Sequence, residues 1–228
     1  MEQLLHDGLT ALGLPTAGIP SLLRYGEMLV EKNKVMNLTA ITEPSAVAKL
    51  HLLDSLTVLC CANLAGKTLI DVGCGAGFPG VPLAIACPEA KVTLLDSLGK
   101  RMNWLETVLP TLGVHAECVT ARAEEAVATR RESYDFATSR AVARLNILLE
   151  LTAPYVKVGG AVLAMKGAAA QEELAEAKGA IQKLGLKLEA VHAFPIDDAE
   201  HSVIVLRKVS PTPPRYPRRY AKIKQQPL

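Results

Sequence analysis

The sequence of 228 residues predicts an α/β fold: a mostly parallel sheet with helices on both faces, an antiparallel hairpin at its C-terminal end and a small N-terminal helical cap. Three observations predict it. From Lys67 onward, short β-rich runs alternate with helical segments, which is the pattern of βαβ units. The first of these runs leads into a glycine-rich turn that opens a helix. The last two apolar runs are joined by a polar link too short for a crossover helix.

Each element follows from local pattern. Leu4, Leu5, Leu9 and Leu12 share one helical face, 22–30 form a second amphipathic stretch and 47–61 a third, with Pro15, Pro20 and Pro44 near their starts. These make the cap, residues 1–62. Strands are predicted at 68–72, 91–95, 116–120, 134–138 and 160–165, with helices at 81–86, 100–112, 145–154 and 171–184 between them. Runs 186–194 and 202–209, linked by 195–201, form the hairpin that ends the main domain, 63–209. Residues 210–228 form a tail.

Half of the residues are apolar, enough for one good-sized core. The longest apolar stretches are broken well short of the roughly 20 residues that span a bilayer. The first residues carry Glu2 and Asp7 and no basic n-region, so a cytoplasmic protein without a membrane span is expected. No long apolar seam suggests self-association, and a monomer is expected. Cys60, Cys61, Cys74, Cys87 and Cys118 form no CxxC pair and match no histidine spacing, so they are read as small hydrophobes, with no metal site.

A net charge of +2 conceals an asymmetry. From Arg207 onward there are seven basic residues (Arg207, Lys208, Arg215, Arg218, Arg219, Lys222 and Lys224) and no acid, against 18 bases and 23 acids before them. A basic tail on an acidic body suggests a polyanionic partner. Tyr216 and Tyr220, interleaved with the arginines, favour RNA because aromatic faces stack on bases. The alternative is a solvated tail kept basic for solubility.

The strongest motif is Leu69-Ile70-Asp71-Val72-Gly73-Cys74-Gly75-Ala76-Gly77-Phe78-Pro79-Gly80. Glycines there allow positive φ and the close approach of a ligand. Gly75 to Gly80 also satisfies GxGxxG, but Gly73 directly follows the strand, and counting from it puts Phe78 where a dinucleotide loop needs its third glycine. Pro79 removes an N–H where a pyrophosphate would want one. The loop therefore suits an adenosine joined to an amino acid better than one joined to a diphosphate. Asp96, 25 residues beyond Asp71, ends the second strand, where it can accept hydrogen bonds from both ribose hydroxyls, and Asp71 supports the ammonium end. Together with the terminal hairpin this is the pattern of a Rossmann-like class I methyltransferase sheet.

Across almost the whole chain the sequence resembles the RsmG (GidB) family, bacterial methyltransferases of guanine N7 in small-subunit (16S) ribosomal RNA. The resemblance is carried by Met36-Asn37-Leu38-Thr39, His51-Leu52-Leu53-Asp54-Ser55, Asp71 to Gly80, Asp96-Ser97 with Lys100-Arg101, Arg122-Ala123-Glu124, Ser139-Arg140-Ala141 and Lys166-Gly167. It implies S-adenosylmethionine as cofactor and S-adenosylhomocysteine as product, with Gly73, Phe78, Ala123, Glu124 and Arg140 at the donor, to which the loop and strand ends add Asp71, Gly75 and Asp96. It also implies that Asn37, His51, Lys166 and the basic tail lie toward ribosomal RNA or a small-subunit particle, and Asn37, His51 and Arg140 are expected at the catalytic end. At the tail, Gln226-Pro227-Leu228 replaces the Lys-Pro-Leu that often closes family members.

The residues bear on the chemistry. Guanine N7 has a free lone pair and loses no proton on methylation, so no general base is required. Cys87-Pro88 reverses the order used by cytosine-C5 enzymes, and the Asp/Asn-Pro-Pro-Tyr/Phe segment of amino-group methyltransferases is absent from the sequence. Arg140, just past the fourth strand, is expected to face both reactants, the alternative being an ion pair with Glu124 or Asp135. His51, Asp54 and Ser55 share a helical face, but a helical serine lacks the strained elbow and oxyanion donors of a hydrolase. For His51, packing and base positioning are both open; for Asp54, packing is expected.

Overall fold

The computed structural model describes residues 1–197 and 199–228. Its centre is a seven-stranded sheet in the order β3-β2-β1-β4-β5-β7-β6. The strands are β1 (Thr68–Val72), β2 (Lys91–Asp96), β3 (Ala116–Thr120), β4 (Tyr134–Arg140), β5 (Val156–Lys166), β6 (Leu186–Ile196) and β7 (Ala199–Lys208). β1 to β5 are parallel, Leu69 facing Val92 on one side and Phe136 on the other. β7 runs antiparallel between β5 and β6. The hairpin is tighter than its sequence suggests, because Ile196 already pairs with Ala199. Of the link expected at 195–201, Asp198 lies outside the described residues.

Side chains alternate across the sheet as the period of 2 requires. Leu69, Leu94, Leu163 and Val205 enter one core, while Ile70, Leu95, Val162 and Ile204 enter the other. The first core is closed by α1 (Glu2–Ala11), α2 (Ile19–Met36), the helical run from α3 (Pro44–Val47) to α4 (Asp54–Leu56), α5 (Gly80–Ala86) and α6 (Gly99–Val108). Leu5, Leu22, Leu52, Val81 and Leu105 are the buried contributors. The N-terminal helices thus share a core with the sheet. The second core is closed by α7 (Ala123–Arg130), α8 (Leu145–Thr152), α9 (Ala170–Glu176) and α10 (Lys178–Lys183), through Val127, Leu149, Ala170 and Ala180.

Several helices differ from the periodic pattern. The run expected at 47–61 contains a π-helical turn at Ala48–Leu53 and ends in a 3-10 turn at Thr57–Cys60. Such wide turns recur at functional sites. Its start is fixed by Glu43, whose carboxylate accepts from the Ser45 and Ala46 N–H groups at 3.0 and 2.8 Å. The segment 171–184 breaks at Ala177 into α9 and α10. Residues 109–112 tighten into a 3-10 turn around Pro110, which has no N–H to continue an α-helix. Among the cysteines, Cys60 is exposed, so it is not a core hydrophobe; Cys74 is buried.

The tail is not a solvated arm. Tyr216 and Ile223 are buried, and α11 (Tyr220–Gln225) lies against α8. Glu150 on α8 is fully buried and accepts from the Arg218 backbone N–H and Nε at 2.8 Å and from its Nη2 at 2.6 Å. Arg131 donates to the carbonyls of Thr212 and Tyr216. Among the described residues no helix is long and apolar enough to cross a membrane.

Candidate active site

The order β3-β2-β1-β4 places a switch point between β1 and β4, where crossovers leave in opposite directions and a crevice opens at the strand ends. The glycine loop lies across it. Gly73 and Cys74 donate to the Leu95 carbonyl at 2.7 and 3.1 Å, and Gly75 donates to Asp96 Oδ2 at 2.9 Å. Leu98 donates to Asp96 Oδ1 at 2.8 Å. These bonds orient the Asp96 carboxylate and leave further acceptor positions on it for a diol.

The loop frames a cavity of about 540 Å³. It brings together seven of the residues expected at the donor: Gly73, Gly75, Phe78, Asp96, Ala123, Glu124 and Arg140. His51 joins them. Asp71 does not. It shares the face of Leu69, points beneath the loop and is fully buried, with Oδ2 accepting from the Gly80 N–H at 2.8 Å. Burial raises its pKa to about 7, against the lowering effect of the Gly80 hydrogen bond and the Arg140 charge. Asp71 thus supports the loop from beneath and does not itself line the cavity. Its contact has a further meaning: the first N–H of α5 is taken by a carboxylate of the protein itself, where a pyrophosphate would have to bind.

The glycines divide in the same way. A Cβ at Gly75 would meet only Arg101 Nη1, at 3.7 Å, and otherwise open space, whereas one at Gly77 would lie 2.5 Å from Tyr25 Oη and 2.6 Å from Val81 Cγ2. Both have positive φ, 58° and 88°. Gly77→Ala is therefore expected to lower stability by about 3 kcal/mol from backbone strain and overpacking. Gly75→Ala should cost about 1–2 kcal/mol from strain alone but weaken donor binding. Denaturant unfolding and calorimetry on both variants check the split; equal effects in the two assays would contradict it.

At the inner end of the cavity, Arg140 closes β4. Its Nη1 donates to the Leu50 carbonyl and to Asp54 Oδ2, both at 2.8 Å, and its Nη2 meets His51 Nδ1 at 3.0 Å. Arginine only donates, so Nδ1 is the acceptor and His51 Nε2–H donates to Thr39 Oγ1, at 2.7 Å. The His51 pKa falls to about 4, by burial first and then by the Arg140 charge, so the ring is neutral. His51 stacks on Phe78 at 4.7 Å between centroids, and the Arg140 guanidinium lies 5.1 Å from the same ring. Neither ion pair considered for Arg140 forms: Asp135 instead accepts from Thr68. Asp54 is more than packing. Its second oxygen accepts from His201 Nδ1 at 2.8 Å, a bond that raises the His201 pKa. Ser55 donates back to the His51 carbonyl.

A second cavity, about 630 Å³, shares Arg140 and His51 with the first and is also bordered by Ile41, Lys166, Glu173 and His201. Lys166 is held there by the Ala143 carbonyl at 2.6 Å and Glu173 at 2.7 Å. Asn37 lines neither cavity; it is exposed and ends α2 in a left-handed conformation, φ 49°.

The tail cations divide sharply. Lys208, whose side chain has no exposed surface, bonds to the Ala153 carbonyl, Thr212 and Glu132. Arg218 pairs with Glu150, and Arg207 with Glu189 at 2.6 and 2.8 Å. The expectation of Lys208 and Arg218 as RNA ligands is corrected, because Lys208 is inaccessible and the Arg218 charge is committed to the buried Glu150, whereas the Arg207–Glu189 pair lies at the surface. Tyr216, being buried, offers no stacking face for a base either. Arg215, Arg219, Lys222 and Lys224 stay exposed. Sequence reasoning missed Asp54, His201 and Thr39 as partners of the Arg140–His51 pair, and Tyr220 in the wall of the cavity that the glycine loop frames.

Residues 18–203 match the family described as rRNA small subunit methyltransferase G. The chain is 42% identical over its whole length to the ribosomal RNA small subunit methyltransferase G of Alkaliphilus metalliredigens, covering 98% of that protein. It is 46% identical, over 90% of its length and 87% of the relative, to the protein of that name from Desulfitobacterium hafniense. Among solved structures, it resembles TYW2 of P. horikoshii in complex with MeSAdo, with a TM-score of 0.57, 15% identity and coverage of 69% of this chain and 62% of that one. It also resembles a point mutant of the 16S rRNA (adenine(1408)-N(1))-methyltransferase from Catenulisporales acidiphilia, with a TM-score of 0.54, 18% identity and coverage of 66% and 88%. The structural likenesses show the class I methyltransferase fold, and the family match and sequence identities show that the chain belongs to the rRNA small subunit methyltransferase G family.

Proposed function

We propose that this protein transfers the methyl group of S-adenosylmethionine to N7 of a guanine in small-subunit ribosomal RNA, acting as a cytoplasmic monomer. The observation that carries the proposal is a shared border: Arg140 and His51 line both cavities, so donor and acceptor can be brought into contact beside the same two side chains. The donor cavity suits the cofactor, since Asp96 is oriented for a ribose diol and Asp71 occupies the N–H that a diphosphate would need.

S-adenosylmethionine supplies an activated methyl group together with its leaving group. What remains for the protein is to bind, orient and exclude water, effects that reach about 7–11 kcal/mol when the reacting atoms are held in line. The side chains at the shared border fit this role. His51 is neutral, and its Nδ1 lone pair is engaged by Arg140, so it is no proton acceptor. The buried Cys74 thiol has its pKa pushed up by burial and is no nucleophile. An acceptor with its own free lone pair, such as guanine N7, needs neither. Arg140 acts on guanine O6, a phosphate or the donor carboxylate, because a donor on N7 would occupy the attacking lone pair. On the RNA side, the exposed Arg215, Arg219, Lys222 and Lys224 carry the tail's contact.

The test is to incubate the purified protein with methyl-labelled S-adenosylmethionine and unmethylated small-subunit particles, then map the label. Label at N7 of one guanine is expected. Binding of S-adenosylmethionine without methyl incorporation would instead make the protein a non-catalytic assembly factor, and label in a small molecule or protein would displace RNA as substrate.

A further inference from the structure

We propose that Tyr220 belongs to the donor site: the C-terminal segment carries it to the cavity rim, where its ring closes the end that receives adenine. This rests on reading the cavity as a site for S-adenosylmethionine. Tyr220 lies outside the residues 18–203 that match the family.

The placement follows from the sheet. Asp96 ends β2 and marks the ribose, and Ala121 just beyond the neighbouring β3 donates to the Asp96 carbonyl at 3.1 Å. Residues 121–124 therefore line the cavity beyond the ribose, away from Arg140, and a purine attached to that ribose lies among them. Tyr220 and Leu151 of α8 border the same cavity. The tyrosine ring is half-buried, and its hydroxyl has no partner among the described residues. The α8 helix contacts both α11, which carries Tyr220, and α7, which begins at Ala123, so a large aromatic face with no protein ring beside it borders the cavity on the side of 121–124 and suits contact with the base.

The ring is also held in place from both sides. Two residues before it, Arg218 makes three hydrogen bonds to the buried Glu150. Three residues after it, Ile223 is fully buried. A segment tied in this way presents Tyr220 in one position, so little ordering is left to oppose binding. The tail then joins the two halves of the reaction, with Tyr220 toward the donor and the exposed Arg219 and Lys222 toward solvent.

Calorimetry with S-adenosylhomocysteine and with 5′-methylthioadenosine, which lacks the amino-acid end, tests this on wild type, Tyr220→Ala, Tyr220→Leu and Tyr220→Phe. Alanine and leucine should each weaken both ligands by about tenfold, phenylalanine should stay near wild type, and the unfolding transitions should coincide. Unchanged affinity in the alanine and leucine variants overturns the proposal, as does a loss confined to S-adenosylhomocysteine, which would put the ring at the amino-acid end. Raised KM for RNA with unchanged ligand affinity would make Tyr220 an RNA contact instead. If wild type binds neither ligand, the donor reading itself fails and takes this proposal with it.

Discussion

Arg140→Ala should lower methyl transfer at saturating donor and RNA by at least about a hundredfold, equivalent to roughly 2.7 kcal/mol in the barrier. The guanidinium ties the Leu50 carbonyl, Asp54 and His51 together from the end of β4, and without it each loses its partner. His51 would lose the donor that fixes its tautomer, and its pKa would rise because the Arg140 charge contributes to lowering it. Asp54, nearly buried, would keep only His201. Arg140→Lys should rescue little, since an ammonium cannot span the three acceptors that the planar fork reaches. Single-turnover kinetics checks the rate and denaturant unfolding checks the fold. Wild-type turnover in Arg140→Ala would sink the assignment of this residue to the reaction.

Arg218→Ala should cost about 3–5 kcal/mol of stability, the usual penalty for leaving a buried charge without its partner. Glu150 has no exposed surface, and after the substitution only the backbone N–H at position 218 would still reach it. Because the cation is not available to phosphate, the slope of log affinity against log salt for RNA should stay near the wild-type value. Lys222→Ala should do the reverse, leaving stability alone and reducing the salt slope by about one. A stable Arg218→Ala protein with weakened RNA binding would show that the arginine faces RNA after all.

The two substitutions illustrate what the sequence made readable. The alternation of strand and helical runs from residue 68 onward carried the mostly parallel sheet, and the short polar link carried the final hairpin, because a parallel neighbour needs a crossover helix and an antiparallel one does not. The glycine loop carried the position of the cavity it frames, because glycines in a turn after a strand mark positive φ and open space, as at Gly75. Charge in the tail misled, because composition does not reveal pairing between residues 68 apart, as Arg218 and Glu150 are. Asp54 and His201 meet across 147 residues and have no motif to announce them. Asp71 was within reach of simple parity: it lies two residues from Leu69 and must share its face, beneath the loop. The π turn around His51 has no periodic signal at all, since a single widened turn is set by its tertiary surroundings.

The order in which strands leave the ribosome differs from the order in which they sit. β6 is synthesised before β7, yet β7 occupies the place next to β5, and β6 reaches the sheet only through it. A nascent or prematurely terminated polypeptide ending ahead of residue 199 would present the 11-residue β5 as a bare edge, with unpaired amides and carbonyls along an apolar run. Such fragments should self-associate, and that edge is covered only once the last strand has been added.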